Sequence, residues 1–361
     1  MKIHSFLAVL LALGIAAFSS LPAAAHHSAV PHFDMSQEVS FQDVEVVEWK
    51  FVNPHSYIYF KVDESEDGLW RCEMSAATLL GRGGWSQESM LPGDKIDIAG
   101  APGKREANLC AMTSISFSDG TEIGQTRGLR ENQVGVAETL ESDRPAIHQQ
   151  TGQPNISGAW LTLSFGPGSK GGEPAPPQQG APTWGGYELT AAGLAAAEAY
   201  DVRFDDPALG CHPINIIEGW NHDQHVNQIE QYDDRVTIQY GYVDFLRTIY
   251  LTDEHPDIIE PSAGGHSIGR WVDNVLVVDT IGFESGVLLH QGGVSHTADL
   301  HVVERIYRDP QTDELVRNYE LTDPAYFVGT RQGVDYSVMS ARGYERYNCT
   351  ELGGENNQRP E

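Results

Sequence analysis

The chain has 361 residues, 40% of them hydrophobic and 37 of them glycine, with a formal charge of -28 at pH 7. That is enough for two ordinary domains, and the composition fits a folded, loop-rich protein, not a disordered one. A surface this acidic repels phosphate backbones and anionic lipid, which argues against nucleic-acid and peripheral-membrane partners.

The chain opens as a secretory leader. Lys2 supplies a basic start, Phe6 to Phe18 an apolar stretch, and Ala23-Ala24-Ala25 a small-residue cleavage site. Residues 1–25 are therefore expected to be a signal peptide, with the mature chain beginning at His26. The apolar stretch is too short to span a bilayer and nothing like it follows. The expected location is periplasmic or secreted, with no membrane insertion after cleavage. Four cysteines in such a chain permit two disulfides, and their grouping favours Cys72–Cys110 and Cys211–Cys349.

Residues 26–120 read as a small β-barrel domain. Strand patterns start at Val44, Val46 and Trp49, alternate from Tyr57 to Val62, and recur at Leu69–Met74, Lys95–Ala99 and Leu109–Phe117. A short helix is expected over Ala76–Leu80, stopped by Gly81, Gly83 and Gly84. About five strands with one short helix suggest a barrel of the OB type. Residues 121–156 lack periodicity and read as a linker.

Residues 157–351 read as a larger antiparallel barrel of lipocalin-like type, or a sandwich. It opens on Gly158-Ala159-Trp160, which resembles the opening of lipocalin-type barrels; the resemblance implies that the tryptophan plugs one end under Arg342 or Arg346. Residues 165–186 form a long Gly/Pro-rich loop, and Thr190 caps a helix running to Tyr200. Strands are expected at Val226–Tyr232, Arg235–Tyr240, Leu246–Leu251, His266–Trp271, Val275–Ile281, Leu300–Arg308, Glu314–Leu321 and Tyr344–Cys349, about nine with the opening one. Asp233-Asp234 and Asp273-Asn274 are turns. Residues 352–361 read as a disordered tail. The whole chain is thus expected to be all-β.

Two sets of motifs carry resemblances. His26-His27-Ser28, Asn53-Pro54-His55, Gly84-Trp85 and Pro92-Gly93-Asp94 resemble a family of exported bacterial proteins of unknown function. Cys211-His212-Pro213, the run Gly265 to Trp271 (Gly-His-Ser-Ile-Gly-Arg-Trp), Leu276 to Phe283, Ser295-His296, Glu304-Arg305, Asp323-Pro324 and Tyr347-Asn348-Cys349 resemble a second uncharacterised exported group. The chain departs from the second group at Ile214 to Ile217 and at Val272-Asp273-Asn274. The resemblances imply kinship and compartment, and attach no activity.

Three groups of residues could do chemistry. His26, with its free α-amine after cleavage, His27 and His55 could hold copper, because amine and imidazole nitrogens suit Cu(II). The plain alternative is a solvated chain start and a structural turn histidine. His222-x-x-His225 sits at a strand entrance, where residues three apart point to opposite faces, and reads as a loop feature. Glu304 falls on the apolar face with Leu300, Val302 and Ile306, so it needs a partner among Arg247, Arg270 and His296. A buried Glu304–His296 pair could act as acid and base, with His266 beside it. The alternative is a structural ion pair inside the barrel. Ser295-His296 with Asp299 or Asp323 allows a hydrolase triad, but no nucleophile elbow supports it.

The expectation is an exported protein that binds a small hydrophobic or aromatic molecule in the second barrel, with or without acid–base turnover. Glu304, His296 and His266 are the candidate catalytic groups, and Arg247, Arg270, Trp271 and Asp323 the ligand-binding ones. The alternatives are a copper-binding periplasmic protein, or a structural protein with no small-molecule site. No nucleotide-binding glycine fingerprint occurs.

Overall fold

Alternation of buried and exposed side chains builds both halves of the molecule, as expected of strands with one face on a core. The computed structural model describes residues 32–350 apart from 64–67, 119, 125–143, 163–182, 185–186, 221–224, 291–292 and 342. In the first domain, β1 (Val39–Lys50) pairs with both β2 (Tyr57–Lys61) and β4 (Lys95–Pro102). β2 continues to β3 (Leu69–Glu73), and β4 to β5 (Leu109–Phe117). β3 and β5 then meet in parallel and close the ring. A short helix, α1 (Ala77–Arg82), lies between β3 and β4 in sequence. This is the topology of an OB-type barrel. β6 (Glu122–Gly124) adds a strand beside β5. Val44, Val46, Ile58, Phe60, Ile96 and Ile98 fill the interior. The Cys72–Cys110 disulfide lies on the seam where β3 meets β5.

In the second domain β7 (Gly158–Thr162) begins the barrel, and β8 (Thr183–Trp184) and β9 (Tyr187–Glu188) form a separate two-stranded piece. Helices α2 (Ala191–Ala199) and α3 (Val202–Asp205) follow; Thr190 caps α2 by accepting from the Gly193 N–H at 3.1 Å. The wall continues through β10 (Val226–Gln231), β11 (Arg235–Gln239), β12 (Leu246–Tyr250), β13 (His266–Val272) and β14 (Val275–Ile281). β15 (Gly286–Leu289) and β16 (Val294–His296) form a side hairpin, and β17 (His301–Arg308), β18 (Leu315–Thr322) and β19 (Arg331–Met339) complete the wall. β7 sits between β10 and β19 and shuts the barrel, so the sandwich alternative is set aside. Asp273 adopts φ 53° at the tight β13–β14 turn, as an Asp-Asn turn allows.

Four expectations are corrected. The barrel is not wholly antiparallel: β12 and β13 run parallel, because residues 251–265 carry the chain back to the same end before it re-enters. Residues 344–349 are not a strand. Their backbone is held by Asp244, which accepts from the N–H groups of Tyr347 at 2.8 Å and Asn348 at 3.0 Å. Trp160 is fully buried as expected, but the guanidinium over its ring is that of Arg144, at 5.6 Å. Arg346 is exposed, and Arg342 lies outside the described residues. The stretch 121–156 is not uniformly loose, since β6 extends the first barrel and Ile156 packs into the core of the second.

The two domains touch through their sequence signatures. Asn53 donates its side-chain amide to the Tyr347 carbonyl, and its carbonyl accepts from the Thr350 N–H at 2.7 Å. Its side-chain oxygen accepts from Thr78 N at 3.1 Å. The Asn-Pro-His turn of the first domain thus clasps the Tyr-Asn-Cys segment of the second. The Cys211–Cys349 disulfide ties that segment to the stretch that precedes β10.

Candidate functional site

Inward-facing positions of five neighbouring strands bring a charged network into the second barrel. β12 supplies Arg247, β13 Ser267, β14 Thr280, β17 Glu304 and β18 Arg317. The Glu304 carboxylate is wholly buried. Arg247 grips it with both terminal nitrogens, one at 3.1 Å. The same guanidinium donates to Ser267 Oγ and to Thr280 Oγ1, each at 2.9 Å. Arg317 reaches Glu304 at 3.3 Å and donates from Nε to Asp335 on β19 at 2.7 Å. Its guanidinium lies over the Trp220 ring, 4.6 Å from the centroid. Two positive and two negative groups thus neutralise one another. Burial alone would raise the Glu304 carboxyl, but Arg247 and then Arg317 outweigh it and hold it below the usual range. A carboxylate so paired stays ionised and has no proton to give.

Among the partners considered for Glu304, Arg247 is the one found. His296 is also buried, but its Nδ1 lies 3.1 Å from the Thr297 carbonyl and its ring packs edge-on against Phe283. Burial pushes its pKa down. Asp323 accepts from Thr297 Oγ1 at 3.0 Å and from the Ala325 N–H at 3.1 Å, so it stabilises a turn. Arg270 points outward from β13, and Trp271 packs half-buried on the main core.

A second cluster occupies the outer face of the same wall. His266, Asp279 and His301 project outward from the adjacent strands β13, β14 and β17, while Ser267, Thr280 and Val302 beside them point in. The crossover 251–265 folds His255 onto this face. His255 Nδ1 is 2.9 Å from His266 Nδ1, and His255 Nε2 is 3.0 Å from Asp279 Oδ1. His301 Nε2 reaches the other Asp279 oxygen at 2.8 Å. Tyr250 stacks on the His266 ring at 5.3 Å. Burial tends to raise the Asp279 carboxyl, but the hydrogen bonds from His301 and His255 prevail and lower it. Burial, and then His255, pushes His266 down. The array therefore groups three imidazoles around one ionised carboxylate. His266 and Asp279 are legible as polar residues of the central strands. His255 lies in an aperiodic crossover and His301 at a strand edge, and only the fold joins them to the others.

A third cluster lies near the domain junction. His55 Nδ1 meets Glu73 Oε1 at 2.7 Å, and Tyr57 donates to Glu73 Oε2 at 2.9 Å. Burial would lower the His55 pKa, but Glu73 outweighs it and raises it. His32 feels both Glu73 and His55, and burial holds its pKa down. His26, His27 and His222 lie outside the described residues. His225 is buried against Tyr242 and Tyr347. Among the described residues, no three His, Cys, Asp or Glu side chains converge as a ready metal cluster, and no helix is long and apolar enough to cross a membrane.

No curated protein and no solved structure matches the chain. Residues 15–110 match a family described as a family of unknown function (DUF6152). The matched range contains the His-His-Ser, Asn-Pro-His, Gly-Trp and Pro-Gly-Asp positions and stops short of the second barrel, so the relationship covers the first domain alone.

Proposed function

We propose that the protein is exported, binds a small aromatic or hydrophobic molecule on its second barrel, and can move protons on that molecule through the array of His255, His266, Asp279 and His301. The observation that carries this reading is the Asp279 carboxylate bridging two imidazoles, with a third chained to the first. Imidazoles titrate near neutral pH and are the commonest general acids and bases. Apolar surface accompanies them: Tyr250 is 46% exposed and Leu246, on the same strand face, 55%. The paired carboxylates inside the barrel are assigned to the fold, and His266 carries over from the candidate catalytic groups. Two disulfides fit an oxidising compartment.

Native mass spectrometry of protein purified from its own host tests the reading. A co-purifying organic molecule should be retained by wild type and lost from Tyr250→Ala and His266→Ala. Retention by both variants would overturn it. The copper alternative keeps one supporting observation, namely that His32 lies in electrostatic reach of His55 and Glu73. Titrating CuSO4 into processed protein with and without one added N-terminal residue tests that alternative: a site that needs the free α-amine is lost on the addition.

A further inference from the structure

We infer that His266 Nε2 is the atom that exchanges protons with a bound molecule, and that His255 and Asp279 form a relay behind it that takes over the resulting charge. The inference rests on the reading above for the presence of that molecule. The positions of the protons can be tested without it, so the two can fail separately.

The basis is the direction in which the ring nitrogens point. An ionised carboxylate only accepts hydrogen bonds, so the two Asp279 oxygens require N–H groups from His255 Nε2 and His301 Nε2. The His255 and His266 rings meet head-on, with centroids 5.1 Å apart and Nδ1 atoms 2.9 Å apart. That line holds one proton between two nitrogens and nothing larger. With no extra proton on the array, His255 keeps its hydrogen on Nε2 and presents a lone pair at Nδ1. His266 then donates from Nδ1, and its own lone pair is left on Nε2. Nε2 has no hydrogen-bond partner among the described residues.

A proton that arrives at His266 Nε2 does not have to stay on that ring. Its bond to the ligand breaks, the electron pair remains on the ligand, and an N–H bond forms at Nε2. The Nδ1 proton passes along the line to His255 Nδ1. His266 is then neutral again, with its hydrogen on Nε2, and His255 carries the positive charge. Burial and His255 both disfavour a charge held on His266. On His255 the charge lies 3.0 Å from Asp279 Oδ1, in a side chain only 15% exposed, where opposite charges attract more strongly than in bulk water. The reverse sequence returns the proton to the ligand. The other titratable groups facing this chain are Tyr250 of β12, stacked on His266, and His301 of β17, held on the second Asp279 oxygen. Across β13 and β14, Ile281 lies opposite His266 and Ile268 opposite Asp279. His266 is thus the catalytic residue, and His255, Asp279 and His301 are positioning residues.

The test is nitrogen NMR of ligand-free, full-length processed protein labelled in its histidine rings, followed from alkaline to acidic pH. At alkaline pH, His266 should hold its hydrogen on Nδ1 and His255 on Nε2. On acidification, His266 Nε2 and His255 Nδ1 should gain protons in one common transition, while His266 Nδ1 loses its own. Asp279→Asn should move that transition about 1 pH unit or more toward acid, because the charge on His255 loses its carboxylate. His255→Phe should abolish the preference of His266 for the Nδ1–H form. The first two readouts need no variant. A His266 that holds its hydrogen on Nε2 at alkaline pH would overturn the relay. So would a His266 that becomes doubly protonated while His255 Nδ1 stays bare, or an Asp279→Asn transition that does not move.

Discussion

At the scale of single residues, the contrast between Glu304 and Asp279 decides where chemistry is possible. Both are carboxylates on neighbouring strands. Glu304 faces inward and meets two guanidiniums, whereas Asp279 faces outward and meets imidazoles. Arginine does not release its proton, so the first site is electrically fixed, while histidine does so near neutral pH and the second can respond. Glu304→Gln should therefore lower folding stability by about 3 kcal/mol or more, because both arginines stay buried with half their compensation gone. Urea unfolding would measure it, and a loss below about 1 kcal/mol would mean that the network relaxes or is hydrated. The inward register of Glu304 was legible, since Leu300, Val302 and Ile306 mark the apolar face. The choice of Arg247 over His296 was not, because nothing in the sequence sets which strand lies across the barrel.

At the scale of elements, strand spacing is legible where alternation is regular. β2, β3, β5, β11, β13 and β14 all fall where the alternation places them. It is not legible where side chains instead of a ladder satisfy backbone groups, as at residues 344–349 with Asp244. Nor is the parallel β12–β13 join legible, since the direction of re-entry after a crossover leaves no local signal. One glycine has a structural role that periodicity conceals. Gly333 on β19 lies opposite Tyr319 on β18, whose ring occupies the space a Cβ would need. That ring lies 5.1 Å from the Arg317 guanidinium, so the glycine makes room for a side chain covering the interior charges. Gly333→Ala should cost on the order of 1–3 kcal/mol through forced repacking. The measurement is a thermal melt, and a neutral result would show that the Tyr319 ring can swing aside.

At the scale of the whole molecule, an ion pair that responds to pH sits beside the joint between the domains. His55 lies two residues after Asn53, and its raised pKa comes from Glu73 against the pull of burial. A raised histidine contributes stability that is complete below its unfolded pKa of about 6.5 and is lost as pH rises through the folded value. Glu73, burial notwithstanding, is lowered by His55, so its contribution is complete above about 4.3 and is lost on acidification through its folded value. The pair should stabilise most between about pH 4.3 and 6.5. The stability gap between wild type and His55→Ala should be widest near pH 5.5 and narrow by pH 8.5; a gap that does not change with pH would refute this coupling.

The clasp also has a consequence in time. Asn53 precedes its partner Tyr347 by 294 residues. At translation rates of about 5–20 residues per second, the first barrel waits roughly 15–60 s before its docking partner exists. The OB-type barrel is built from nearby strands and has its own disulfide, so it can fold during that interval. The Asn-Pro-His turn then remains an uncovered hydrogen-bonding edge until the final segment arrives, and a newborn chain is most open to mispairing with a neighbouring copy at that edge.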